Sequence, residues 1–193
     1  MKTKSAWNIG RFLAGIALLL SYSYSVGYAG TLHFNGASAY VSLGPKPELK
    51  VTGSSLTLEV WIKPTGRGSD AVEGGVILGK EGEYLLARFP DGTLRFAVAN
   101  TTPGFSWVNT LFPVPSNQWT HVALTYDGAF FRCYTNGVQI FAPPASGPIG
   151  DANATLNQFL IGAHEGVGSV FQGQIDEVRV WNVARTQAQI QAD

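Results

Sequence analysis

Residues 118–140 read QWTHVALTYDGAFFRCYTNGVQI. Residues 119–126 are rich in β-branched and aromatic side chains, as are 130–135 and 138–141. Asp127-Gly128 and Asn136-Gly137 fall between these runs. Both dipeptides tolerate the positive φ that a two-residue hairpin turn demands, so the stretch predicts a three-stranded antiparallel meander. Such turns fix register, and register decides which side chains face a core.

The same grammar extends in both directions. Short apolar or alternating runs occupy residues 31–34, 39–43, 56–63, 76–78, 84–88, 94–99, 107–112, 159–161 and 170–183, punctuated by Gly, Pro, Asn and Asp. Residues 56–63 alternate cleanly: Leu56, Leu58, Val60 and Ile62 on one face, Thr57, Glu59, Trp61 and Lys63 on the other. That pattern is a half-buried strand. Residues 186–192 read as a short helix with Thr186 as its N-cap. With 193 residues, 23 glycines and no internal repeat, the chain predicts one all-β domain. The expected architecture is a jelly-roll sandwich of two antiparallel sheets with a short C-terminal helix.

The first 29 residues differ from the rest. Lys2, Lys4 and Arg11 precede an apolar run at 12–20, a polar stretch follows at 21–25, and Gly27-Tyr28-Ala29 offers a small-x-small cleavage site. This is the pattern of a secretory signal peptide. It predicts cleavage after Ala29, a mature domain of residues 30–193 and a secreted or extracytoplasmic protein, at the cell surface or in a periplasm. The apolar run is shorter than the ~20 residues a membrane-spanning helix needs. An uncleaved anchor or a buried strand is the alternative. No cysteine lies near the site, which argues against a lipid anchor, and no membrane insertion is expected after cleavage.

Removing Lys2, Lys4 and Arg11 leaves ten basic residues against thirteen acidic ones, a net charge of −3. A nucleic-acid partner would need clustered excess Lys and Arg, so none is expected. Cys133, the single cysteine, sits mid-strand. It cannot form an internal disulfide, and the expectation is a small buried hydrophobe. The sequons at Asn100 and Asn153 matter only in a glycosylating host.

Four blocks carry a family resemblance. LHFNGASAYVSLG (32–44), SLTLEVWIKP (55–64), QWTHVALTYDGAFFRCYTNGVQI (118–140) and FQGQIDEVRVWNVARTQAQI (171–190) resemble, in order, the conserved strands of laminin-G-like, concanavalin-A-like jelly-roll domains, which are similar to pentraxins and legume lectins. The resemblance implies the fold strongly and function only by class. It implies a non-catalytic module that binds a glycan or an extracellular protein. A purely structural or adhesive surface domain is the alternative, and a divergent glycan-active enzyme is a third reading.

Three constellations bear on that choice. In such sandwiches the first and last strands are neighbours, which would bring Asn35 and Gly36 near Asp176. A side-chain oxygen, a carbonyl and a carboxylate there would offer a structural calcium part of the six to eight oxygens it needs. The alternative is that Asp176 only hydrogen-bonds backbone amides. The pentraxin-type calcium loop corresponds to AHEGVGSVFQG (163–173), where His164 and Gly166 stand in place of acids. No alternating Glu-Asp-Glu array of a glucanase is present, and Asp176 and Glu177 are adjacent, so a regular strand would point them to opposite faces. Glu59 and Glu177 are the remaining carboxylate pair, with a structural ion pair through Arg179 as the expected role. For ligand contact the candidates are Trp107, beside Phe105, with Arg95, Tyr84 and Arg88 as rim residues, and His164, the only loop histidine. His121, Trp61, Trp119 and Trp181 read as packing residues.

Overall fold

The computed structural model describes residues 6–8, 30–166 and 168–192. The expected apolar run and cleavage site of the leader lie outside these residues. In chain order the first strands are β1 (Ala6–Asn8), β2 (Leu32–Asn35), β3 (Val41–Gly44), β4 (Leu56–Pro64), β5 (Gly75–Lys80), β6 (Tyr84–Arg88) and β7 (Thr93–Val98). There follow β8 (Val108–Pro113), β9 (Thr120–Tyr126), β10 (Phe131–Thr135), β11 (Val138–Phe141), β12 (Phe159–Ile161), β13 (Gln172–Trp181) and the helix α1 (Gln187–Ile190).

Two antiparallel sheets face each other. The first runs β1-β13-β4-β9-β10-β11, with β2 also paired to β13, and the second runs β3-β12-β5-β6-β7-β8. The expected sandwich is therefore the observed one. Leu56, Leu58, Val60 and Ile62 of β4 point inward as the alternation required, and pack with Val122, Leu124 and Tyr126 against Leu78, Tyr84, Leu86 and Phe96. Each such side chain contributes about 1.5–3 kcal/mol when fully buried. Cys133 is free and buried in this core, where desolvation pushes its thiol up to about 12, so it behaves as the small hydrophobe expected.

The central meander forms, with one correction. Asn136 (φ 48°) and Gly137 (φ 73°) make a two-residue turn between Thr135 and Val138. The first turn is wider. Tyr126 pairs with Phe131, so residues 127–130 form the loop. Asp127 Oδ1 accepts the amides of Ala129 and Phe130, and that capping stabilises the wider geometry.

In β13, two residues, Glu177 and Val178, oppose one of β4 between Asp176 and Arg179, and Glu177 has φ 49°. This bulge shifts the alternation by one residue. Ile175, Val178 and Val180 consequently all reach the core.

The outer face of the first sheet is covered by the chain's own C-terminus. Thr186 caps α1 in a capping box with Gln189, as its sequence position predicted. Ile190 packs on Ala123 and Tyr134. Arg185 pairs with Glu59 at 2.5 Å and lies over the Trp181 ring, and Thr57 Oγ1 donates to the Val183 carbonyl.

Candidate functional site

On the second sheet the outer face stays partly open. The alternation of residues 39–43, leading into β3, turns Ala39, Val41 and Leu43 toward the core and leaves Tyr40 and Ser42 outside. Tyr40 is 57% exposed. β3 pairs with β12, and β12 with β5, so Leu160 occupies the same outer face. Beyond β12 the chain turns at Gly162, whose φ is 82° and whose missing Cβ would collide with the Phe34 ring. The loop then folds back, His164 pairing with Gly168 through a 2.9 Å hydrogen bond.

The result is a groove of about 380 Å³. Leu160, Ala163 and Val170 form its apolar floor. Its rim is polar and held in place. Glu165 accepts from the Gln158 backbone amide (2.8 Å) and from Gln158 Nε2 (2.9 Å). Gln158 Oε1 in turn accepts from Ser42 Oγ. His164 Nε2 lies 2.8 Å from Glu81 Oε2, both side chains being largely buried. Burial pulls the imidazole pKa down, but the hydrogen bond to Glu81 and the charges of Glu81, Glu73 and Glu165 outweigh it, and the net shift is upward. An exposed aromatic ring beside fixed hydrogen-bonding groups is the arrangement that stacks on one face of a ligand and reads its hydroxyls.

The expected ligand residues separate into two places. His164 lines the groove. Trp107, Phe105 and Arg95 gather instead around Phe89: Trp107 meets its ring edge-on at 5.3 Å, and the Arg95 guanidinium lies 3.9 Å above it. Phe105 and Trp107 pack over the outward-facing Val76, Leu85, Ala87 and Ala97. Trp107 Nε1 donates to Glu73 Oε1, and Arg95 pairs with Asp91. The expected rim of Tyr84 and Arg88 is corrected. Tyr84 is buried with its hydroxyl on the Leu49 carbonyl, and Arg88 is buried on the carbonyls of Gly66 and Val114 and on Ser116 Oγ. Of the tryptophans read as packing residues, Trp119 is exposed. His121 is buried, and its ring meets Trp61 at a tilt, with centroids 5.3 Å apart.

The calcium set Asn35, Gly36 and Asp176 is not brought together. β2 does pair with β13, but Asn35 lies opposite Gln172 and Leu32 opposite Ile175, which places Asp176 about 13 Å along the strand from Asn35. Asn35 Oδ1 already accepts the amides of Ala37, Ser38 and Ala39, and Asp176 Oδ1 accepts the Glu177 amide. These oxygens do not fit the shell of a hard cation. Among the described residues no group of three or more His, Cys, Asp or Glu side chains has metal-binding geometry.

The carboxylate pair fares similarly. Glu59 is fully buried beneath Arg185, and Glu177 pairs with Arg179 at 2.8 Å. Glu59 therefore presents no open cleft to a substrate. A second polar cleft of about 330 Å³ lies by His33, Lys63, Thr65, Asn117 and Gln174. Its lining phenylalanine, Phe34, is buried, and among the described residues no Trp or Tyr lines it.

The chain belongs to the concanavalin A-like lectin/glucanases superfamily, whose laminin G-type family model matches residues 35–191. Among curated proteins it is similar to pappalysin-1 of Mus musculus (33% identical over 178 residues) and of Homo sapiens (26% over 179 residues). Each match covers 84% of this chain, which spans only 11% of the length of either relative. Among solved structures it is similar to a putative carbohydrate binding protein from Bacteroides ovatus (27% identity, TM-score 0.64, 84% of this chain and 47% of that one). Two others share the fold at lower identity. Domain 4 of AbnA, an extracellular arabinanase of Geobacillus stearothermophilus, is in complex with arabinotriose (23%, TM-score 0.59, 88% and 79%). The CBM40 domain of a Ruminococcus gnavus sialidase is bound to α2,3 sialyllactose (17%, TM-score 0.66, 84% and 94%).

Proposed function

We propose that this chain is a non-catalytic carbohydrate-binding module acting outside the cytoplasm, with its ligand in the groove on the second sheet. The observation that carries this reading is Tyr40, an exposed ring standing beside an apolar floor and the tethered polar side chains of Gln158, Glu165 and His164. A sugar ring presents an apolar face and an equatorial fence of hydroxyls, which such a site satisfies. The family membership and the carbohydrate-binding descriptions of its structural neighbours support the same reading. The extracellular description of AbnA and the leader-like N-terminus support the location. Trp107, Phe105 and Arg95 form a second, more enclosed platform on the same sheet.

The test is a glycan screen followed by calorimetry on Tyr40→Ala and Trp107→Ala. Removal of the exposed Tyr40 ring is expected to weaken binding at least ~10-fold, equivalent to about 1.4 kcal/mol, with an unchanged melting temperature. A Trp107→Ala variant that alone loses binding moves the site to the Phe89 cluster. A blank screen moves the function to protein adhesion.

A further inference from the structure

We infer that the groove selects neutral glycans and discriminates against anionic ones such as sialylated, uronate-bearing or sulfated sugars. This rests on the carbohydrate-binding reading above and deepens it. Sites for carboxylate, sulfate or phosphate groups are built from Arg forks, Lys ammoniums or helix N-termini. Among the described residues none of these is present: no Arg or Lys lines the groove. Lys80, adjoining β12 through β5, turns inward, spending its ammonium on Glu83 at 2.8 Å and on the Asn157 carbonyl.

Among the described lining residues the one basic side chain is His164, and its Nε2 is already engaged by Glu81 Oε2 at 2.8 Å. What remains is acidic. Glu165 is on the lining, and Glu73 is anchored on the adjoining wall by Trp107 Nε1 and Ser169 Oγ. Glu165 presents acceptors that suit sugar hydroxyls, which can donate to it. An anionic substituent has only acceptors to offer there and meets like charge at close range in a partly desolvated site, where repulsion exceeds that in bulk water. The two glycans held by the structural neighbours, arabinotriose and α2,3 sialyllactose, differ in this respect, and the charge of this groove places its preference with the uncharged one.

The test titrates the purified protein with glycan pairs that share a core and differ by one anionic group, lactose with 3′-sialyllactose among them, at low and physiological salt. Neutral members are expected to bind at least 10-fold more tightly, with the gap widening at low salt. Glu165→Gln, which keeps an acceptor for Gln158, is expected to narrow the gap. Ser38→Arg, on the groove lining, is expected to narrow it further by supplying a cation. Equal or tighter binding of the anionic members overturns the inference while leaving the carbohydrate-binding reading intact. So does a gap that neither variant changes. Failure of every glycan, neutral and anionic, instead removes the functional reading and this inference with it.

Discussion

The two sheets treat their outer faces in opposite ways. On the first, the chain's own last residues lie down and satisfy the surface: Ile190 covers Ala123 and Tyr134, Arg185 meets Glu59, and Gln187 and Gln191 both donate to the Gly137 carbonyl. On the second, loops cover part of the face and stop short of Tyr40, leaving an apolar floor with a polar rim. The contrast teaches that a sandwich of this kind has two faces able to take a partner, and that the face left uncovered is the one free for an external ligand.

The comparison breaks most sharply at Arg185. Its replacement by Ala removes a guanidinium paired with the fully buried Glu59 carboxylate, and loss of one partner of a buried pair costs about 3–5 kcal/mol. Denaturant unfolding should show a loss of that order, whereas the exposed Tyr40→Ala should leave stability unaltered. A variant as stable as the wild type would mean that the C-terminal cover is dispensable.

A smaller effect lies under the groove. His164 faces Glu81, Glu73 and Glu165, which together hold its pKa above the ordinary value of 6.5 against the opposing pull of burial. A raised folded-state pKa contributes stability that is fully present below 6.5 and is lost as pH rises through the folded value. Urea midpoints should therefore fall as pH rises above 6.5 in the wild type, and the fall should flatten in His164→Asn. An unchanged profile in the variant would assign the pH dependence elsewhere.

The smallest expected effect is that of calcium. With Asn35 Oδ1 committed to three amides and Asp176 four register positions away, melting curves in calcium and in chelator should coincide. A rise in midpoint with calcium, lost in Asp176→Ala, would reveal oxygen ligands beyond this set.

The strands were legible because their signals are local. Alternation in 56–63 and the Asn136-Gly137 turn depend on neighbours a few residues away, and both appear where the sequence puts them. The groove was not legible because it depends on pairing between residues 41–44 and 159–161. One local sign was there to be used: Tyr40 and Ser42 alternate with Val41 and Leu43, which sets Tyr40 on the outer face. The calcium grouping foundered on register. Neighbouring strands β2 and β13 were foreseen, but a shift that no local motif encodes separates Asn35 from Asp176. Arg88 reads as a surface residue by type, yet it satisfies carbonyls from two separate segments, an accounting that appears only once those segments are folded together.

The pairing of β2 with β13 has a consequence for how the molecule comes into being. Leu32 finds its partner at Ile175, and Val41 finds its own at Ile161. Contacts of such sequence separation give a high contact order and folding on slow, millisecond-to-second scales. More to the point, β13 also sits between β2 and β4, so the first sheet lacks an interior strand until residues Gln172–Trp181 have been synthesised.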